Sequence, residues 1–285
     1  MDEKFLEKMF GSRKCPVIDL GLEDLARTAQ KMAGGLSISG VQPKLSVKLD
    51  EKRNMLVPVA LGGEYILKPQ TFTFPDIPEN EQCCMDIAGE LDINIPLHCL
   101  IPLKDSIRAY VIKRFDRKKN VKIHQEDFSQ VLGQTDKYKG SVEQIGRKLK
   151  EISSAPGYDT QLLFERVVLN FILGNGDAHL KNYSILYIDK DDIRLTPAYD
   201  IVCSKLVIPE EEDSAITING KKNRLQRQDF DDLAGYLDIP VKVRYEKFGN
   251  KLDVMKKIIE LSSLKPEKQR QFIEIIKERS GRLEL

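Results

Sequence analysis

The chain has 285 residues, 41% hydrophobic and 31% charged, the balance of a globular enzyme built as one large domain or two lobes. Its 45 Lys and Arg against 44 Asp and Glu leave a net charge of +1, which argues against a dedicated nucleic-acid binder. Five cysteines without a Cys-x-x-Cys pair and three histidines without a His-Glu-x-x-His pattern argue against a disulfide framework, a structural zinc site or a dedicated metalloenzyme. No run of 18 residues is free of Asp, Glu, Lys and Arg, and Met1-Asp2-Glu3-Lys4 begins no basic-then-apolar leader. The expectation is a cytoplasmic, unprocessed protein with no membrane partner.

In chain order, Leu22, Leu25, Ala26, Ala29, Met32 and Ala33 recur at helical spacing and stop at Gly34-Gly35, which predicts one amphipathic helix opening into a loop. Leu45, Val47 and Leu49 alternate with Ser46, Lys48 and Asp50 as in a half-buried strand. A polar turn at 51–54 leads into a second strand at 55–60, and Gly62-Gly63 precedes a third at 64–68. The three are expected to form an antiparallel meander. Proline-rich 69–78 reads as a loop, and helical spacing resumes from Glu79 to Leu91. Strands are predicted at 108–115 and 121–124. After Glu126 the spacing becomes helical, over 128–132, 142–152, 162–173, 230–237, 252–261 and 272–276, with one brief strand pair at 184–188 and 193–196. The acidic segment 210–213 reads as a solvated loop. The fold class is thus α+β, with a small β-rich half over 1–125 and a larger helical half over 126–285, expected to meet across a ligand cleft.

The most informative segment runs from Asn170 to Tyr183, where an apolar helix meets a glycine-rich turn and Asp177 is followed five residues later by Asn182. Phosphoryl transfer needs a carboxylate to orient the attacking hydroxyl and an amide oxygen to hold a metal, and the kinase catalytic loop uses this spacing. Alone it is weak, since Asp and Asn also cap ordinary turns. Eighteen residues beyond Asn182, Asp200 supplies a second carboxylate at a strand end, suited to Mg²⁺ bridging phosphates. Lys68 ends an apolar strand, where it could pair with the phosphates or simply stand exposed at a sheet edge. Lys, Asp, Asn and Asp in this order on these elements point to a kinase. The 36–44 loop matches neither Gly-x-Gly-x-x-Gly nor a Walker sequence.

With these residues together the chain resembles the HipA family of bacterial serine/threonine kinase toxins. The resemblance is carried by Ser37 to Lys44, Tyr65 to Pro69, Lys113 to Arg117, His124 to Phe128, Gly176 to Asn182 and Pro197 to Asp200, in family order. It implies a two-lobed protein-kinase-like fold, ATP and Mg²⁺ as cofactors, Asp177 as catalytic base, Asn182 and Asp200 as metal ligands, and Lys68 on the ATP phosphates. Ser39, Gly40, Val41, Gln42, Pro43 and Lys44 would line the phosphate loop, and Glu126, Asp127 and Phe128 the adenine hinge. His179, Leu180, Lys181 and Tyr199 would complete the ATP site. His179 stands where ordinary protein kinases have lysine, and Lys181 either supplies that charge or is an exposed loop residue.

Two departures resemble the short HipT branch. About a hundred residues of an amino-terminal subdomain are not represented before the kinase core, and both Ser37 and Ser39 are serine. By that resemblance, both would be autophosphorylation sites, and a separate HipS-like small protein would replace the subdomain. The implied partners are a HipB-like helix-turn-helix antitoxin, DNA only through that antitoxin, and a protein substrate, a glutamyl- or tryptophanyl-tRNA synthetase. The alternative is a nucleotide-binding pseudokinase that acts as a regulatory module with an antitoxin. A third reading takes 113–150, with eleven Lys or Arg against five Asp or Glu, as a nucleic-acid surface, but a solvated face near the ATP site is the preferred expectation.

Overall fold

The computed structural model describes residues 1–32, 43–71, 73–118 and 121–285. They divide into two compact units, Met1–Gln82 with Pro96–Val121, and Cys83–Ile95 with Lys122–Leu285. The elements are mixed, antiparallel sheets and helices, so the α+β class holds.

The first unit opens with α1 (Glu3–Phe10), started by the Asp2 side chain accepting from the Phe5 amide and ended by Gly11 at φ +69°, the left-handed cap that glycine favours. Helix α2 (Leu22–Met32) follows. Strands β1 (Leu45–Asp50), β2 (Met55–Pro58), β3 (Tyr65–Pro69), β4 (His98–Pro102) and β5 (Arg108–Lys113) form one antiparallel sheet in the order β2-β1-β3-β5-β4. Leu45, Val47 and Leu49 face a core that also takes Leu6, Met9 and Phe10 from α1 and Leu22 and Leu25 from α2. The Tyr65 hydroxyl donates to the Met9 carbonyl at 2.9 Å, which fastens α1 to the sheet.

The expected meander is corrected by this order. Strand β1 pairs with both β2 and β3, in registers Leu49↔Leu56 and Ser46↔Ile66. The second hairpin return crosses to the other side of β1, so β3 becomes the middle strand of five and its residues are covered by neighbours on both edges.

Helix α3 (Ile77–Glu90) carries Pro78 in its first turn and straddles the boundary between the units. Short strands β6 (Arg117–Lys118) and β7 (Val121–Lys122) come next. In the second unit, β8 (His124–Asp127) pairs with β9 (Ser184–Tyr187), which pairs with β10 (Ile193–Leu195). The remaining helices are α4 (Phe128–Val131), α5 (Val142–Ile152), α6 (Pro156–Ile172), α7 (Arg227–Tyr236), α8 (Leu252–Leu261) and α9 (Pro266–Arg282). Helix α6 begins at Pro156, well before its predicted start, because proline suits the first helical position. Among the described residues no helix is long and apolar enough to cross a membrane. All five cysteines are free thiols, four of them buried.

Candidate active site

In the first unit, Lys68 lies on the middle strand β3 and is 3% exposed, which removes the exposed-edge alternative. Its ammonium is ion-paired with Glu81 of α3, itself 1% exposed, and sits 5.5 Å from the Tyr110 ring centroid. Sequence reading missed Glu81. A cation held on a central strand by a buried carboxylate is the arrangement a kinase uses to present a lysine to phosphates. Pro43 and Lys44 lie in irregular chain just before β1, with Lys44 exposed. Ser37, Ser39, Gly40, Val41 and Gln42 fall outside the described residues.

In the second unit, α6 ends at Gly174 in the left-handed conformation, φ +68°, and the chain turns sharply into Asn175, Gly176 and Asp177. The Asn175 side chain and backbone both bond back to Asn170. The Gly176 amide donates to Ser204 Oγ at 2.8 Å. A Cβ at Gly176 would stand 2.5 Å from Glu211 Oε2 and from the Glu212 carbonyl, so only glycine fits this close approach. Half-buried Asp177 follows, its carbonyl accepting from the His179 amide at 2.8 Å.

The next turn, Leu180–Asn182, is closed by the Asn182 side-chain oxygen accepting from the His179 amide at 3.0 Å. Leu180 is buried, whereas Lys181 is exposed. The Tyr199 hydroxyl donates to the Lys181 carbonyl at 2.9 Å and is also hydrogen-bonded to Ser184. This ties the segment ending in Asp200 to the Asp177–Asn182 loop. Asp200 itself takes φ +57°, a conformation uncommon for a side-chain-bearing residue and concentrated at functional sites.

The buried His179 imidazole is held below its ordinary range, first by burial, while Asp177 and Asp200 oppose the shift and Lys137 adds to it. Both carboxylates therefore act on one side chain. Glu211 is pushed up by burial and by Asp177, and its carboxylate accepts from Ser204. Asp213, 5% exposed, is paired with Arg279 at 2.6 Å and Arg282 at 3.0 Å of α9. The acidic 210–213 segment is thus a loop pinned at Glu211 and Asp213, while Glu210 and Glu212 are exposed, so the solvated-loop expectation holds for two of its four residues. Sequence reading also missed Tyr138, whose hydroxyl donates to Asp177 Oδ1 at 2.9 Å.

Around the expected hinge, β8 is the edge strand of its three-stranded sheet, and edge strands leave backbone groups free to pair. The Asp127 side chain caps α4, its amide donates to Gln130 Oε1, and the Phe128 amide donates to the Tyr183 carbonyl. Those two amides are taken internally, so a nucleotide contact would fall to other backbone groups of β8. The Glu126 carboxylate is bonded by the Tyr187 hydroxyl.

The residues expected to hold a metal, Asn182 and Asp200, offer one amide oxygen and one carboxylate. Among the described residues no group of three or more His, Cys, Asp or Glu side chains could hold an ion. Mg²⁺ at phosphates is typically held by one or two protein ligands, its shell completed by water and phosphate. The Asn182 oxygen accepts one amide hydrogen and keeps a second lone pair.

The model of the HipA-like C-terminal domain matches residues 36–270. The chain belongs to that family. Within the HipA-like proteins it is 35% identical over 205 residues to the "Putative kinase Y4dM" of Sinorhizobium fredii, covering 65% of this chain and 49% of that one. It is 26% identical over 207 residues to the serine/threonine-protein kinase toxin HipA of Shewanella oneidensis, covering 65% and 47%. This HipA-like chain spans about half the length of the curated relatives it matches. Among solved structures, HipA of Shewanella oneidensis MR-1, determined with HipB and operator DNA, superposes with TM-score 0.72 at 20% identity, covering 88% of this chain and 66% of that one. The Helicobacter pylori proinflammatory kinase CtkA gives TM-score 0.54 at 15% identity, covering 76% and 86%. The fold is that of these kinases.

Proposed function

We propose that this chain is a serine/threonine protein kinase of a bacterial toxin-antitoxin system, transferring the γ-phosphate of ATP to a protein serine. The observation that carries the reading is the fastening of the segment ending in Asp200 to the Asp177–Asn182 loop by the Tyr199 hydrogen bonds to Lys181 and Ser184. Asp177 would orient the acceptor hydroxyl and take its proton. Asn182 and Asp200 would hold Mg²⁺, which supplies charge neutralisation at the phosphates when bound. Lys68, held by Glu81, would pair with the phosphates, and Pro43 and Lys44 would lie at the end of the phosphate loop. Glu126 and its neighbours would meet adenine, with 1–125 acting as the nucleotide lobe and 126–285 as the catalytic lobe.

The finer parts of the proposal rest on family membership. The substrate would be an aminoacyl-tRNA synthetase in the cytoplasm, Ser37 and Ser39 would accept phosphate from the enzyme itself, and a HipB-like antitoxin would neutralise it and link it to DNA. A HipS-like small protein would be a further partner. Incubation with γ-labelled ATP, Mg²⁺ and a bacterial lysate tests the reading. A labelled protein that disappears with Asp177→Ala supports it, and that protein's identity names the substrate. Nucleotide binding with no label transferred would leave the pseudokinase reading in its place.

A further inference from the structure

We propose that Tyr138 is a positioning residue for phosphoryl transfer, its phenolic hydroxyl holding the Asp177 carboxylate by one oxygen and leaving the other for the acceptor hydroxyl. The inference rests on the kinase reading above. Among the described residues Tyr138 is the one side chain that donates to the Asp177 carboxylate, at 2.9 Å. At 42% exposure its ring is no core residue, so burial does not account for its placement.

The ring is nevertheless fixed. It meets His179 edge-on at 5.4 Å between centroids, and Lys137 Nζ lies 4.7 Å from its centroid. Its backbone is fixed too. The Tyr138 amide donates to Asp136 Oδ1, its carbonyl accepts from Lys222 Nζ, the Lys137 carbonyl accepts from the Leu180 amide, and the Gly140 carbonyl accepts from the Thr217 amide. A turn tied to the catalytic loop at Leu180 and to the chain beyond at Thr217 and Lys222 is a support and not a swinging gate.

The chemistry gives that support a purpose. As the acceptor oxygen bonds to the γ phosphorus, the bond to the β-phosphate oxygen breaks, its electron pair leaves with ADP, and the acceptor proton passes to Asp177. A carboxylate free to rotate would present either oxygen at variable angles, and small misalignments cost rate steeply. Glu211 also acts electrostatically on Tyr138 and Asp177. A hydroxyl donor there offsets the repulsion between two neighbouring carboxylates.

The test compares wild type, Tyr138→Phe and a protein carrying 3-fluorotyrosine at 138, with ATP, Mg²⁺ and myelin basic protein as acceptor. Phenylalanine keeps the ring and its packing and deletes only the donor. A hydrogen bond to a charged group converts to a loss in kcat of about ten- to a hundred-fold, with KM for ATP unchanged, and the fluorinated tyrosine should restore most of it. Wild-type kcat in Tyr138→Phe would overturn the role while leaving the kinase reading standing. No transfer by wild type would overturn both. A readout independent of activity is the titration of a ¹³C-labelled Tyr138, whose phenol is pushed up to about 12, first by burial and then by Asp177. Asp177→Asn should bring it down, and a titration indifferent to that change would refute the contact itself.

Discussion

Replacing Lys68 by Met removes one half of an ion pair whose members are 3% and 1% exposed. The Glu81 carboxylate then stays buried without the Lys68 charge, a loss that typically costs about 3–5 kcal/mol. The ammonium's contact with the Tyr110 ring, at 5.5 Å, adds at most about 2 kcal/mol. Against a total stability of about 5–15 kcal/mol for an ordinary domain, Lys68→Met should lose about 3–7 kcal/mol. Urea unfolding followed by far-ultraviolet circular dichroism measures this, the chain having no tryptophan. The double variant Lys68→Met with Glu81→Leu should recover most of the stability, because an apolar pair replaces a buried ionic one at little or no cost. Phosphate transfer should be absent in both, since the cation proposed to meet the phosphates is gone in both. A loss under about 1 kcal/mol in Lys68→Met would mean that the pair is solvated and the burial argument wrong. A double variant as unstable as the single one would refute the pairing.

His98, on β4, is pushed down to about 4 by burial and then by the Lys68 charge. A histidine kept neutral in the fold contributes stability that is present above its unfolded value near 6.5 and is lost as pH falls toward 4, about 3 kcal/mol in all; acid unfolding of His98→Leu should lack that loss. Asp213→Ala leaves Arg279, 2% exposed, without its 2.6 Å partner and should cost about 3–5 kcal/mol in urea unfolding. Asp200→Ala should weaken Mg·ATP binding by calorimetry, whereas Asp177→Ala should bind nucleotide as wild type does while transferring no phosphate.

The elements that were legible in the sequence are those whose burial follows a simple period. Alternation gave β1 and helical spacing gave α5 with the bounds observed. Helix α1 was overlooked because only Leu6, Met9 and Phe10 of its eight residues are buried, too short a stripe for a periodic signal. Strand β4 was overlooked because its buried residues are consecutive, His98-Cys99 and Ile101, and not alternating. Strand order could not be read at all, since β1 pairs on both edges and nothing local to its sequence says which neighbour takes which side.

At the site, residues within one short loop were legible by spacing, as with Asp177 and Asn182. Their supports were not: Tyr138 and Asp213 reach Asp177 and Arg279 from distant positions in the chain, and Glu81 and Glu211 meet Lys68 and Ser204 across turns that carry no periodic signal. The run of acids from Glu210 to Asp213 was legible only in part. Glu210 and Glu212 are solvated as the charge suggests, whereas Asp213 is buried against Arg279 and Arg282 of a distant helix.

In the proposed reaction Asp177 directs phosphate from ATP to a hydroxyl acceptor. This role is tested most directly by a single-turnover measurement with γ-labelled ATP and Mg²⁺, wild type and Asp177→Asn side by side, following label on protein. Label should appear with wild type and fall at least about a hundredfold with the variant, at equal nucleotide occupancy. Equal rates in the two proteins, or no label with wild type saturated in Mg·ATP, would contradict that role.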